Sequence, residues 1–394
     1  MDLDQLARLH TAEGAAALAA AHELAGSEPL AAAATLRRAG FAADLAAAAL
    51  TQAGLRRAAR AKFGPDADRL WFTRAGLEQA TRSVVARRRA QRLAEAGVAH
   101  VADLGCGLGA DAIAFARAGL RVSAVEVDPL TAACAAANAA ALGLTERLRV
   151  DRADATAADL STVDGIFCDP ARRGRPGQRV FDPRAFSPPW SFVAQLPRRV
   201  PATVLKLAPG FDHALIPTGA EAEWVSVDGT VVEAALWCGP LATVPRRASV
   251  RRGELEADEL TGSGDAAAPV GPVRAHVYDP DGAVVRAHLV AEFAATIGGT
   301  LADPRIAYVF TDAAQPTPFG RGFEVLERLP YGLKRLRAAV RSRGIGTLEI
   351  KKRGLDVDPD RLRRELRLDG SQSATLILTR VADAPTALLA RAHR

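Results

Sequence analysis

Apolar residues recur every three or four positions through an alanine-rich stretch from Leu3 to about Lys62, and no alternating run interrupts them. That period predicts a small helical domain punctuated at Gly26, Gly40 and Gly54. Phe63-Gly64-Pro65 ends the pattern, and 74–96 resumes it as one long helix with Gln79, Arg82 and Arg89 on or near one face. From Val98 the pattern changes to short apolar runs separated by helical ones. Strands are expected at 98–104, 120–127, 148–151, 165–168 and 202–207, and an antiparallel hairpin at 224–227 and 231–237. Strand and helix in alternation predict an α/β fold with a mostly parallel, doubly wound, Rossmann-like sheet.

Residues 241–272 include Thr-Gly-Ser-Gly-Asp from Thr261 to Asp265, so a connection or hairpin outside the core is expected there. A strand at 275–278, a helix capped by Asp279 with Pro280 in its first turn and running to about Ile297, and a strand at 306–310 follow. The remainder repeats this grammar. It reads as a strand at 323–329, a helix at 334–342, a strand at 347–352, a helix capped by Asp358 with Pro359 in its first turn, and a strand at 374–379. The breaks divide the chain at 1–73, 74–240, 241–305 and 306–394.

The first strand of the Rossmann-like region runs into Asp103-Leu104-Gly105-Cys106-Gly107-Leu108-Gly109, and Glu126-Val127 ends the second. Glycines at this junction let backbone N–H groups approach a ligand, and an acid about twenty residues on can accept from two ribose hydroxyls. A dinucleotide site would aim a helix N-terminus at pyrophosphate, but Asp103 beside the turn would repel phosphate. A cationic ligand is better served, with a structural turn as the alternative. The stretch resembles motif I of class I S-adenosylmethionine-dependent methyltransferases. The resemblance implies S-adenosylmethionine held by Asp103, Gly105, Cys106, Gly107, Gly109, Glu126 and Val127. It also places Asp154 where the family accepts from the adenine amino group, although Asp is equally a common turn residue.

A second constellation, Cys168-Asp169-Pro170-Ala171-Arg172-Arg173-Gly174, leaves a strand at the carboxyl edge of the sheet, where such sheets bind ligands. It resembles the Asp/Asn-Pro-Pro-aromatic motif of methyltransferases that act on base amino groups. There the acid and a backbone carbonyl accept from the target N–H and orient its lone pair. Asp169 and Pro170 match. Ala171 and Arg172 stand where an aromatic would stack, so stacking would fall to Arg172, Phe181 or Trp190. Asp-Pro-Ala-Arg also resembles the uracil-C5 methyltransferases, but the cysteine those need is absent from the next strand end, Val204 to Gly210. Lys206 on that strand is placed to pair with Asp169 or a substrate phosphate, or to reach past the strand end to solvent.

Four cysteines, Cys106, Cys134, Cys168 and Cys238, lie far apart with no metal-ligand spacing, so buried thiols are expected and neither disulfides nor zinc. No apolar run has the length of a membrane span and the N-terminus lacks a signal-peptide pattern, so a cytoplasmic protein is expected. The net charge of +6 is localised. Residues 331–370 hold 12 Lys/Arg against 6 Asp/Glu, leaving 39 against 39 of the chain's 51 and 45 elsewhere. Such a window suits either an anionic polymer or a solvated helical surface.

Leu77-Glu78-Gln79-Ala80-Thr81, the Asp103 turn, Cys-Asp-Pro-Ala-Arg-Arg, Val204 to Asp212, and Leu348-Glu349-Ile350-Lys351-Lys352-Arg353-Gly354 occur together. Jointly they resemble bacterial class I methyltransferases that carry a C-terminal THUMP-like domain. The resemblance implies a ferredoxin-like unit at about 241–305, a THUMP-like domain after it, and methylation of a base of structured RNA. RNA contacts would come from Lys351, Lys352, Arg353, Arg361 and Arg364. Two alternatives stay open: an RNA-binding protein that keeps the cofactor only as a ligand, and a methyltransferase acting on protein or a small molecule.

Overall fold

A computed structural model describes residues 1–24, 26–172 and 186–393, with Arg172 described by its backbone only. The chain forms two compact units. The first comprises Met1–Leu207, Asp212–Ala220 and Leu236–Ala242; the second comprises Ala208–Phe211, Glu221–Ala235 and Thr243–Arg394.

The first unit opens with four helices, α1 (Leu3–Leu9), α2 (Ala12–Glu23), α3 (Pro29–Arg38) and α4 (Ala43–Phe63). Asp2 and Gln5 form a reciprocal capping box on α1, and Thr11 caps α2. Gly54 lies inside α4, correcting its expected role as a break. A lone glycine costs a helix only about 1 kcal/mol, less than α4 recovers by burying Leu45, Ala46, Ala49 and Ala53. The expected long helix at 74–96 is also two, α5 (Arg74–Gln79) and α6 (Ser83–Glu95). Ala80 and Arg82 have extended ψ values of 137° and 138° between them, and the turn carries Thr81 into the interior.

Five parallel strands follow: β1 (His100–Leu104), β2 (Arg121–Glu126), β3 (Leu148–Arg152), β4 (Gly165–Cys168) and, after a short β5 (Ala171–Arg172) and β6 (Phe186–Ser187) ribbon, β7 (Thr203–Leu207). Their order is β7-β4-β1-β2-β3, with Val101 opposite both Val122 and Gly165. Both neighbours of β1 run parallel to it and all five of its residues are buried, the polar His100 and Asp103 included. Helices α7 (Ala110–Arg117) and α8 (Pro129–Ala141) connect β1 to β2 and β2 to β3, and α9 (Trp190–Val193) and α10 (Leu196–Arg199) precede β7. The opening helices do not have a core of their own: Leu6, Leu9, Leu36, Ala49 and Phe63 share one cluster with Trp71, Phe72, Leu108 and Cys134.

In the second unit β8 (Glu221–Val227) and β9 (Thr230–Trp237, its last two residues in the first unit) form a hairpin over Asp228 and Gly229, at φ +51° and +77°. Residues 241–272 hold a hairpin, one of the two forms expected there, but one of its strands is buried, a correction to its expected place outside the core. Strand β10 (Arg246–Arg251) pairs parallel with β8 and antiparallel with β11 (Asp258–Gly262), and Ala248 and Val250 are buried. Its polar sequence misled because its inward charges are neutralised: Arg247 Nε donates to Glu221 at 2.8 Å and Ser249 Oγ to Glu223 at 2.5 Å.

The second sheet is seven-stranded, ordered β13-β14-β12-β15-β18-β17-β16. It comprises β12 (His276–Pro280), β13 (Thr300–Leu301), β14 (Val309–Thr311), β15 (Gly320–Pro330), β16 (Ile345–Lys352), β17 (Gln372–Val381) and β18 (Ala384–Ala392). The anticipated boundary at 305/306 falls within this sheet, since β12 pairs with both β14 and β15. Asp279 and Pro280 belong to β12 and cap nothing; Asp281 caps α11 (Gly282–Arg286), and a separate α12 (Val290–Thr296) follows. One residue decides this, because Asp281 rather than Asp279 can accept from Ala283 N–H. Helices α13 (Leu333–Ser342) and α14 (Pro359–Leu366), the latter capped by Asp358 as anticipated, pack on the sheet through Leu336, Val340, Leu362 and Leu366. No helix among the described residues is long and apolar enough to cross a membrane.

Candidate functional site

At the end of β1 the chain turns through Gly105, Gly107 and Gly109, all left-handed, at φ +89°, +55° and +83°. A side chain at any of these would be strained, which is why glycine occupies them. Gly105 and Cys106 N–H donate to Val125 carbonyl at 3.0 and 2.9 Å, fastening the turn to β2. Glu126 accepts at both oxygens, from Gly107 N–H at 3.0 Å and Asp128 N–H at 2.9 Å. It therefore lies against the middle of the loop, and Val127 beside it is 53% exposed.

Asp103 is fully buried and neither carboxylate oxygen has a hydrogen-bond partner. Burial pushes its carboxyl well above the usual carboxylate range, reinforced by the charges of Asp111 and Asp169 and opposed by Arg89. Natural proteins pair their buried charges, so an acid left this way lacks a cationic donor. The ammonium of an amino-acid cofactor fits this need; a phosphate would aggravate it.

The exit of β4 stands next to this loop. A Cβ built on Gly105 would lie 3.8 Å from the Asp169 carbonyl oxygen, so the start of the glycine turn and the exit of β4 approach one another. Lys206 Nζ donates to Asp169 Oδ2 at 2.5 Å, and Pro170 is buried. Asp154 accepts from Thr156 N–H at 2.8 Å and caps a short turn at Ala155–Ala157. Trp190 is half-buried, 5.9 Å from the Phe186 ring. Phe181 and the side chain of Arg172 lie outside the described residues.

All four cysteines are buried. Burial raises the Cys106 and Cys168 thiols far above their normal range and takes Cys134 and Cys238 to about 12, so none is poised as a thiolate nucleophile. Among the described residues no group of three or more His, Cys, Asp or Glu side chains is placed to hold a metal.

Several supporting residues went unrecognised in the sequence. Asp111 is buried and accepts from Thr81 Oγ at 2.6 Å and from Arg89, whose guanidinium lies 4.6 Å from the Phe167 ring centroid. Lys62 Nζ donates to the carbonyls of Leu77, Glu78 and Ala80 at 2.7, 2.7 and 2.9 Å. Burial lowers its affinity for the proton, with the charges of Lys206 and Arg82 adding to the effect. The Leu-Glu-Gln-Ala-Thr motif is thus fixed at both ends, by Lys62 before it and Asp111 after it.

In the second unit the basic motif is engaged internally. Lys351 and Arg353 each donate to Asp279 at 2.9 Å, and Lys351 also lies 3.6 Å from Glu349. Lys352 donates to Val357 carbonyl at 2.6 Å and Arg361 pairs with Glu365 at 2.9 Å. Arg364 is exposed on α14, as are Lys334 and Arg335 on α13.

Known proteins agree with this division. Residues 320–392 match the THUMP domain-like family, 98–193 the RNA cap guanine-N2 methyltransferase family, and 2–59 a domain family of unknown function. An uncharacterized S-adenosylmethionine-dependent methyltransferase of Mycobacterium tuberculosis H37Rv is 38% identical over 321 residues, covering 79% of this chain and 84% of that protein. The relative from M. tuberculosis CDC 1551 matches to the same extent. A solved structure of a candidate methyltransferase from Porphyromonas gingivalis W83 shares the fold at a TM-score of 0.71 and 23% identity, covering 89% of this chain and 91% of that one. Identity and coverage with the mycobacterial proteins, on a fold whose glycine turn leaves one buried carboxylate without a cation, place the chain in a family: it belongs to the class I S-adenosylmethionine-dependent methyltransferases with a C-terminal THUMP-like domain.

Proposed function

We propose that the protein transfers a methyl group to a nitrogen of a base in structured RNA. S-adenosylmethionine supplies an electrophilic methyl on a sulfonium, and the protein's task is to bind it and to present a nucleophile in line. Asp103 pairs with the ammonium end, and Glu126 exchanges loop N–H groups for ribose hydroxyls. Asp169 is the acceptor for the target N–H through its carboxylate and backbone carbonyl. The N–CH3 bond forms as the S–CH3 bond breaks, and the nitrogen's proton passes to Asp169 or solvent. Lys206 holds the Asp169 carboxylate and offsets its charge next to Asp103 and Glu126.

The observation that supports the chemical half is the approach of the Asp169 carbonyl to Gly105, since a carbonyl oxygen there can accept from a target N–H. The RNA half is supported by the guanine-N2 and THUMP-like family matches and by the basic excess at 331–370. RNA contacts come from the cations of that window that the fold leaves exposed, Lys334, Arg335 and Arg364 among them, rather than from Lys351 and Arg353, which Asp279 already matches, and the protein works in the cytoplasm. One observation favours a second reading, transfer to a protein or small molecule: Ala171 offers no ring where base-modifying relatives stack one.

The test is methyl transfer from labelled cofactor to total cellular material, followed by RNase or protease digestion and nucleoside mass spectrometry against a deletion strain. RNase-sensitive label and a methylated nucleoside missing from the deletion strain are expected. Label that survives RNase would refute the RNA reading.

A further inference from the structure

The N-terminal helices reach the cofactor turn through a relay of buried amides. Gln52 on α4 and Asn138 on α8 are 0% and 1% exposed, and each pairs with both the N–H and the carbonyl of one residue in the segment between α4 and α5. Gln52 Nε2 donates to Phe72 carbonyl at 2.6 Å and Phe72 N–H donates to Gln52 Oε1 at 3.2 Å. Trp71 N–H donates to Asn138 Oδ1 at 2.6 Å and Asn138 Nδ2 donates to Trp71 carbonyl at 3.1 Å. The same Nδ2 donates to Leu108 carbonyl at 3.1 Å, inside the glycine turn.

Other contacts fix the two ends of the relay. On the helical side Arg56 Nε donates to Leu70 carbonyl at 2.9 Å and its guanidinium lies 4.7 Å from the Trp71 ring, whose centroid is 4.2 Å from that of the tilted His10 ring. On the turn side a Cβ at Gly76 would sit 2.7 Å from Leu108 Cγ, so the first turn of α5 lies flush against that side chain. Leu108 is held by carbonyl and by side chain. It lies between Gly107, whose N–H contacts Glu126, and Gly109, whose left-handed backbone starts α7.

We infer that the helical segment 2–59, whose family has no known function, is a positioning device for the cofactor turn: through Gln52, Arg56 and Asn138 it fixes the Leu108 peptide and thereby the affinity for S-adenosylmethionine. A purely structural amide pair would have satisfied Trp71 and Phe72 alone. Here the last donor bond of Asn138 ends on the loop that binds the cofactor, and hydrogen bonds buried this deeply are costly to leave unmade.

Calorimetric titration with S-adenosylmethionine, which needs no acceptor and so is independent of the RNA reading, is the test. It is applied to Asn138→Ala, Gly76→Ala, the double variant Gln52→Ala/Arg56→Ala, and Leu36→Ala as a core control in the same cluster. Measured well below each melting temperature, the first two should bind roughly tenfold more weakly and the double variant several-fold more weakly, while Leu36→Ala melts earlier but binds as wild type. In turnover the KM for the cofactor rises and kcat at saturation holds. Should Asn138→Ala not fold, Gly76→Ala carries its arm. Wild-type affinity in Gly76→Ala or in the double variant, or equal weakening in Leu36→Ala, overturns the inference.

Discussion

The glycine turn of the first unit and the Glu-Ile-Lys-Lys-Arg-Gly strand of the second are both charged motifs at strand ends, and they differ in how their charges are satisfied. Asp103 is buried with no donor, whereas Lys351 and Arg353 are half-buried and converge on Asp279, with Glu349 adjacent. A buried charge without a partner raises the energy of the empty protein and lowers it again when a ligand of opposite sign arrives. A charge already matched within the fold gains little from a ligand, because binding must first break the internal pair. Motif composition alone therefore does not mark a binding site; the state of each charge in the folded chain does.

The largest effect is expected at Asp169. Asp169→Ala should lower turnover by about a hundredfold or more, on the order of 3 kcal/mol, while cofactor affinity stays within about twofold of wild type. Pre-steady-state transfer alongside titration calorimetry reads both. A variant that loses cofactor affinity equally would return Asp169 to the cofactor side of the site.

Asp103→Asn should weaken S-adenosylmethionine binding by about 2–3 kcal/mol, roughly 30- to 150-fold, through loss of a charge-assisted pair. Stability should move the opposite way. The native carboxyl titrates above its unfolded value, so the native state holds the proton more tightly, and apo stability falls as pH rises from about 4 through the native value. Removing the charge abolishes that loss, so the variant's Tm without cofactor should exceed wild type at neutral pH and converge with it near pH 4. A lower Tm for the variant at neutral pH would mean that Asp103 has a donor inside the fold.

What was legible in the sequence follows the same physics. The parallel strands and the 103–109 turn could be read because backbone geometry there admits few residue types: short, largely apolar runs in β1 and β4, and glycine where φ is positive. The buried strand β10 was hidden because its sequence, Arg-Arg-Ala-Ser-Val-Arg, is polar until Glu221 and Glu223 are seen beside it. The break between α5 and α6 was equally invisible, since Thr81 leaves the helix for an Asp111 thirty residues away. The relay through Asn138 had no local signal, because Asn138 sits in an alanine-rich helix and its partners lie 30 and 67 positions distant.

Two smaller effects test the other half of the comparison. Lys351→Met combined with Arg353→Met should destabilise the protein by about 1–3 kcal/mol, because Asp279 is left without its two cations, 17% exposed. Asp279→Asn in the same background should recover part of that loss. Chemical denaturation measures both. Unchanged stability would free the strand's cations for a partner and remove the contrast drawn with Asp103.

The smallest effect on stability, and the sharpest on recognition, is expected at the exposed cations of α13 and α14. Reversing Lys334, Arg335 and Arg364 to Glu should change stability by no more than about 0.5 kcal/mol, as surface substitutions usually do. If they lie against phosphate, each contact contributes about 0.7–0.9 to the slope of log affinity against log salt, so the slope should flatten by roughly two to three units. Binding of total transfer RNA across a salt series, compared for this variant, the Lys351/Arg353 variant and the native protein, separates the surfaces. Flattening only in the helix variant places RNA on the cations that the fold leaves exposed. Flattening only in the strand variant means that RNA displaces Asp279, and a matched charge would then mark a binding site after all.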